Sequence, residues 1–348
     1  VIVPRHLKSA EDFVTIGENI HTTRIVLLNG RRVRTLDDGT EGVPFKDENG
    51  NDLFLSIPDE FKEQQPYRQN QVKHFMIAVW KGLNGDAEEQ AIGTAYIHRE
   101  VRRQTNAGAT FLDLNVDEVS PYLDIQKASM EWLVKTVEAV STIPASIDSS
   151  NTEIIETGLA TYTGAAGRPM INSVALERVE AIKLVTDNNA HVIVTAGGES
   201  GMPDDADERV ENIDQIMVHI QDAGIPLSDV YVDCLAFPIS VASTYGNDYL
   251  DAVAAVREKY GPEVHITGGV SNVSFGLPKR RLINDCFLHL AIENGLDSGI
   301  IDPIPASIQK VLDLDTGSEP VKLALDMLRG HDDYCMNYIQ AFRDGRLD

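Results

Sequence analysis

The chain is short of positive charge, of cysteine and of long apolar runs, and each shortage excludes something. Its 348 residues hold 30 Lys+Arg against 54 Asp+Glu, a formal charge of −24. A nucleic-acid surface needs clustered Lys/Arg to replace counterions, so a nucleic-acid role is not expected. Only three cysteines occur, Cys234, Cys286 and Cys335, odd in number and far apart, which excludes a disulfide scaffold and any CxxC-type zinc site. No stretch approaches the roughly 18 apolar residues of a membrane span, and no membrane partner is expected. The N-terminal VIVPRHLKSAEDF lacks a basic segment followed by an apolar one, so a cytoplasmic, reduced protein is expected. What remains is an ordinary globular composition, 43% hydrophobic and 24% charged, with ample material for one large core.

The material that is present alternates. Short β-rich apolar runs stand at residues 13–16, 111–115, 145–148, 170–174, 191–196, 230–233, 264–267 and 298–301. Each has the length of a strand buried on both faces. Between them apolar residues recur at three- and four-residue spacing, as in 125–139, 209–223, 249–260 and 282–293, which predicts amphipathic helices. Gly224 and Gly295 follow two of these as left-handed caps, and Asn151 or Thr152 suits the start of another. Eight strands alternating with helices predict an α/β fold, a (β/α)8 TIM barrel, with a doubly wound sheet as its rival. Residues 1–348 then form a single domain with a long insertion, 23–87, after the first strand. DDG and ENGND read as hairpin turns within it, and a short helix is expected over 70–80. The insertion is either an addition over the catalytic face or a decorative loop or oligomer contact. Residues 302–320 read as a proline-containing connector to a final helix.

In a barrel of this kind, chemistry sits where the strands end. Those positions hold Glu18 and Asn19, Asp113 and Asn115, Asp148 and Asn151, Asn172 and Ser173, Asp233, and Ser271 and Asn272. Any one of them alone reads as a helix cap or turn residue. On strand after strand they imply a polar ligand, because buried polar groups need partners. A metal held by Asp113, Asp148 and Asp233 is disfavoured, since no histidine ends a strand beside them; His191 and His265 begin theirs, and no metal is expected. The Gly loops GGES and GGVSN carry no GxxxxGK[ST] pattern for phosphate. Carboxylate with carboxamide suits a flat heterocycle bearing a 2-amino-4-oxo edge, whose N–H groups donate and whose oxygen accepts.

At these residues the chain resembles the pterin-binding barrels: dihydropteroate synthase, the folate domain of cobalamin-dependent methionine synthase, and above all the corrinoid-linked methyltetrahydrofolate methyltransferases. The resemblance covers residues 13–22 and about 88–348. It rests on IGENIH (16–21), AGATFLDLNV (107–116), MEWLV (130–134), IDSSN (147–151), MINSV (170–174), YVDCLAFP (231–238), GGVSNVSFGLPKRRLIN (268–284) and YCMNYIQAF (334–342). It implies that Asp148, Asn172 and Asp233 hold the pterin ring edge and that Asn272 hydrogen-bonds near N5. Gly269 and Ser271 would shape the loop around Asn272, Arg280 would match a basic substrate-binding residue, and Glu18, Asp113 and Asn115 would stand behind the ring contacts. Phe275 stands where the acetogen-type enzymes of this group carry a polar residue soon after the loop Asn, a departure in the hydrogen-bond network that the resemblance implies. The implied reaction moves a methyl group between tetrahydrofolate N5 and a corrinoid cobalt, in the direction methyl-Co(III) to tetrahydrofolate within a demethylation pathway. A neutral Asn at N5 answers the poor leaving ability of that nitrogen by stabilising its protonated form. No DxHxxG element is present to hold cobalamin, so the corrinoid is expected on a separate protein, with 5-methyltetrahydrofolate the folate product and a homodimer the assembly. The alternatives are dihydropteroate synthase, which needs a seventh-loop Lys and a final Arg-x-His, both missing here, and a non-catalytic pterin-binding protein.

Overall fold

The structure, a computed structural model, describes residues 7–347. The chain divides into two compact units, Gly17–Ile171 and the remainder, residues up to Ile16 with Asn172 onward.

The first unit opens within β1 (Val14–His21), which runs five residues beyond the apolar run of the sequence. The segment GENIH continues the strand because Asn19 finds side-chain partners on a helix: its Nδ2 donates to Glu100 Oε1 at 3.0 Å and its N–H to Gln104 Oε1 at 3.1 Å. Next come β2 (Val26–Leu27), β3 (Arg34–Thr35), β4 (Glu41–Lys46), β5 (Asp52–Ser56) and β6 (Gln71–Val72). β3, β4 and β5 make an antiparallel three-stranded sheet whose turns fall at the two turn motifs, with Gly39 at φ +88° and Gly50 at φ +82°. β2 pairs with β6. The helix expected over 70–80 begins later, at His74–Asn84, because β6 takes up Gln71 and Val72.

These elements are packed, not appended. Phe45 sets its ring edge-on to Tyr96 at 4.9 Å between centroids. Helix His74–Asn84 buries Phe75, Ile77, Ala78 and Val79. It lies so close to helix Ala87–Asn106 that a Cβ on Gly93 would stand 2.5 Å from the Ala78 carbonyl oxygen. Asp86 caps the second of these helices by accepting from the N–H groups of Glu88 and Glu89. β7 (Phe111–Asn115) and β8 (Ala145–Asp148) follow as predicted, paired in parallel with Asn115 opposite Asp148.

The second unit carries most of β9 (Met170–Val174), then β10 (His191–Thr195), β11 (Val230–Asp233), β12 (His265–Thr267) and β13 (Ser298–Ile301). Their buried residues include Val192, Ile193, Val194, Val230, Val232 and Ile266. Helices Ala206–Asp222, Tyr245–Tyr260 and Arg280–Glu293 confirm the predicted stripes, and Gly224 (φ +71°) and Gly295 (φ +112°) adopt the left-handed geometry expected after their helices. The connector after β13 contains a short helix, Ile308–Leu312, that its prolines did not suggest; helices Glu319–Leu328 and Met336–Arg343 close the chain.

The eight long strands form one sheet in the order β12-β11-β10-β9-β8-β7-β1-β13. Ile300 N–H donates to the Gly268 carbonyl at 3.0 Å, so β13 also neighbours β12. That is the strand order of a (β/α)8 TIM barrel. Among the described residues no helix is long and apolar enough to cross a membrane.

Candidate functional site

In the first unit the polar residues at the ends of β1, β7 and β8 form one hydrogen-bonded group. Asp113 is fully buried, and His21 Nε2 lies 2.7 Å from its Oδ2 and 3.7 Å from Asp148 Oδ2. Asn115, across the register from Asp148, donates from Nδ2 to the same Asp148 Oδ2 at 2.9 Å. The loop beyond β8 is held by Asp117, which accepts from Ser149 Oγ, Ser150 N and Ser150 Oγ at 2.5, 2.9 and 2.9 Å. Asn151 then caps helix Thr152–Thr161 through Glu153 N–H. Glu18 stands to one side, paired with Arg24 at 3.4 Å, and Arg24 also bonds Asn19 Oδ1.

The charges of this group are displaced from their ordinary states. Burial would pull His21 down, but the hydrogen bond to Asp113 and the charges of Asp113, Asp148 and Glu18 outweigh it and raise the imidazole to about 8. Asp148 moves far above the carboxylate range, first through burial and then through the Asp113 charge, with His21 and Asn115 opposing. His21 corrects the expectation that no histidine ends a strand beside the carboxylates. The donor atoms of His21, Asp113 and Asp148 lie within 4.8 Å of one another. His21 thus lies between the two carboxylates, hydrogen-bonded to Asp113 and farther from Asp148.

In the second unit Asp233 ends β11 with its side chain buried. Its Oδ1 accepts from Leu235 N–H at 2.7 Å, and the Gly269 N–H also bonds the carboxylate. Burial raises this carboxyl to about 6 against those two bonds and the Arg209 charge. Gly268 is required beside it, since a Cβ there would meet Tyr249 Oη at 2.4 Å and Asp233 Oδ1 at 3.2 Å. The loop after β11 is held from below by Arg209, which is entirely buried. Its Nε donates to the Cys234 carbonyl at 3.0 Å, its Nη1 to that of Asp205 at 2.7 Å and its Nη2 to that of Leu235 at 3.4 Å. The guanidinium also lies 4.8 Å from the centre of the Phe237 ring. Arg209 escaped the sequence reading, although it falls on the apolar stripe of its helix with Ile213, Ile216 and Ile220, where a charged residue needs buried partners.

Asn272 is exposed in the 3-10 turn Val270–Ser274, its N–H bonded to the Gly269 carbonyl at 3.0 Å. Arg280 braces this turn: Nε donates to Ser274 Oγ and Nη2 to the Ser271 carbonyl, each at 3.0 Å. Its guanidinium stacks 4.3 Å from the Phe275 ring centre, so the phenylalanine serves as a platform for the arginine. Asn172 lies in β9, joined to Ser173 by a cis peptide bond, and is half-buried.

The fold and these motifs define a class. Residues 91–302 match the model of the pterin binding enzyme family, well over half of the chain, and the chain belongs to that family. Among characterised relatives it is 26% identical over 282 residues to a methylcorrinoid:tetrahydrofolate methyltransferase of Eubacterium limosum, covering 78% of this chain and 98% of that one. It is also similar to the methionine synthases of Mycobacterium leprae (34% over 212 residues, 57% of this chain) and Mycobacterium tuberculosis (32% over 248 residues, 66% of this chain). It spans only 17% and 20% of those two longer proteins. Dihydropteroate synthase from Stenotrophomonas maltophilia shares the fold at a TM-score of 0.52 and 17% identity, covering 65% of this chain and 89% of that one.

Proposed function

We propose that this protein is a methyltransferase that moves a methyl group from the cobalt of a methylated corrinoid, carried by a separate protein, to N5 of tetrahydrofolate. The observation that carries the reading is the match to the methylcorrinoid:tetrahydrofolate methyltransferase, which extends over 98% of that protein's length. The buried, acceptor-rich carboxylates at strand ends support it, because a pterin presents adjacent N–H donors along its 2-amino-4-oxo edge.

In this reading Asp148, Asn172 and Asp233 bind the ring edge, and Asn115, Asp113 and Glu18 support them from behind. Asn272 faces N5, with Gly269, Ser271 and Arg280 setting its loop. The N5 lone pair attacks the methyl carbon of the corrinoid substrate, and the cobalt–carbon electron pair stays with cobalt as Co(I). N5 becomes positively charged as the new bond forms and then gives up its proton to solvent. The Asn272 side-chain oxygen stabilises that charge without itself changing protonation state. No covalent enzyme intermediate is needed. The partner is a corrinoid protein, the assembly a homodimer and the compartment the cytoplasm.

The deciding assay is methyl transfer from methylcob(III)alamin to tetrahydrofolate, followed by the absorbance change from methyl-Co(III) to Co(I). Turnover with formation of 5-methyltetrahydrofolate is expected. Folate binding without turnover would leave a pterin-binding protein, and dihydropteroate formation from a pterin pyrophosphate and aminobenzoate would leave a synthase.

A further inference from the structure

We propose that His21 is a positioning residue for folate: as the cation between two carboxylates, it favours the anionic form of Asp148 that accepts the pterin N–H donors. The inference rests on the ring-edge reading of Asp148 and goes beyond it, since the family resemblance assigned His21 no role.

Asp113, in the middle of β7, and Asp148, at the end of the paired β8, face one imidazole from 2.7 and 3.7 Å. Two carboxylates this close in a poorly solvated site do not both ionise unless a cation stands with them. Asp113 has no exposed side-chain surface, while Asp148 keeps 21% of its own. Asp148 Oδ2 is already taken by Asn115, and among the described residues its Oδ1 accepts no hydrogen bond. A protonated Asp148 would present an O–H to a ligand edge that is itself made of donors. The other charges facing the group are negative: Glu18 on β1, answered by Arg24, and Asp117 after β7. Among the groups facing Asp148, His21 is therefore the cation that supports its ionised form.

The sign of the effect follows. Removing the positive charge makes Asp148 hold its proton to higher pH, so folate affinity falls at neutral pH and returns under alkaline conditions. Calorimetric titration with tetrahydrofolate between pH 6 and 9 tests this on the unaltered protein, His21→Gln, His21→Asn and Asp148→Asn. The unaltered protein should bind more tightly as pH rises through neutrality. Either His21 variant should shift that curve up by about one pH unit, about tenfold weaker at pH 7, and recover by pH 9. Turnover at saturating folate should stay within about twofold, because the effect is on binding. In the unaltered protein, the His21 ring nitrogens observed by 15N NMR should both be protonated at pH 7.

A loss of affinity in the His21 variants that does not change with pH would show a packing role and overturn the proposal, as would unchanged affinity or a neutral His21 ring. If Asp148→Asn binds tetrahydrofolate as well as the unaltered protein, the ring-edge reading itself fails. Weak binding in Asp148→Asn with normal binding in both His21 variants sinks the role of His21 alone.

Discussion

Asp233→Asn separates what a buried carboxylate does for folding from what it does for a ligand. The substitution keeps an acceptor for Leu235 N–H, which now donates to Asp233 Oδ1 at 2.7 Å, and removes a charge from a side chain that burial raises to about 6. A carboxyl raised in the folded state above its usual 3.8 costs stability. The penalty is full above the folded value, shrinks as pH falls through it, and is gone below the unfolded one. A displacement of roughly two pH units corresponds to about 3 kcal/mol at most, so Asp233→Asn should stabilise the protein by about 1–3 kcal/mol at pH 7–8. Thermal unfolding should show a gain of a few degrees, narrowing between pH 6 and pH 4. Folate binding moves the other way. The variant loses a charge-assisted acceptor and turns an amide N–H toward ring N–H groups, a loss of about 2–4 kcal/mol, or roughly 30- to 1000-fold in Kd. Calorimetry with tetrahydrofolate and melting curves across pH measure both. A variant that melts lower yet binds normally would refute the reasoning and make Asp233 a structural residue.

Asn272→Ala should lower kcat for methyl transfer by at least tenfold while changing folate Kd by less than about threefold, since the contact strengthens as charge develops at N5; equal losses in both would remove its N5 role. Arg209→Met should destabilise the protein by about 3–5 kcal/mol, because the carbonyls of Cys234 and Asp205 lose buried donors and Phe237 loses its cation; urea denaturation with an unchanged midpoint would contradict it. Excising residues 23–87 should abolish folding of the first unit. It would strip Tyr96 of Phe45 and of His74, which lies 2.9 Å from its hydroxyl, and would leave Glu89 without buried Lys81. A soluble, cooperatively melting deletion protein would show that the segment is dispensable.

The strands were legible because each is a short, largely apolar run, and Phe111–Asn115, Ala145–Asp148, Met170–Val174, Val230–Asp233 and Ser298–Ile301 fall where the pattern put them. The exception is instructive. β1 was read as ending at Ile16, but GENIH stays extended because Glu100 and Gln104, some 80 residues away, supply what its backbone and Asn19 need. Tertiary hydrogen bonds of that kind leave no local periodicity, and the strand's last residue, His21, was missed with them. Asp117 and Arg209 were hidden for a related reason. Each is polar and lies in a loop or at a helix start, where solvent is the default partner, yet each is committed to the backbone or side chains of a neighbouring strand end. The helix positions that a charged residue shares with Ile213 and Ile216 were the one signal available.

The carboxylates themselves sort by how well the protein satisfies them. Asp332 accepts from the backbone of Asn337 and Tyr338, Asp205 caps a helix, and Asp117 takes three donors from Ser149 and Ser150. Those are carboxylates built into the fold, each repaid locally for its desolvation. Asp148 and Asp233 are different. Both end barrel strands, both have their carboxyls pushed upward by burial, and the donors that reach them do not offset that cost. Evolution toward stability alone would replace either with Asn or a hydrophobic residue. A ligand that brings its own paired N–H groups reverses the balance, because it supplies the missing donors only when bound. The same logic predicts that saturating tetrahydrofolate raises the melting temperature of the unaltered protein more than that of Asp233→Asn, even though the variant starts higher. Identical ligand-induced shifts in the two proteins would break the link between buried carboxylate and pterin edge.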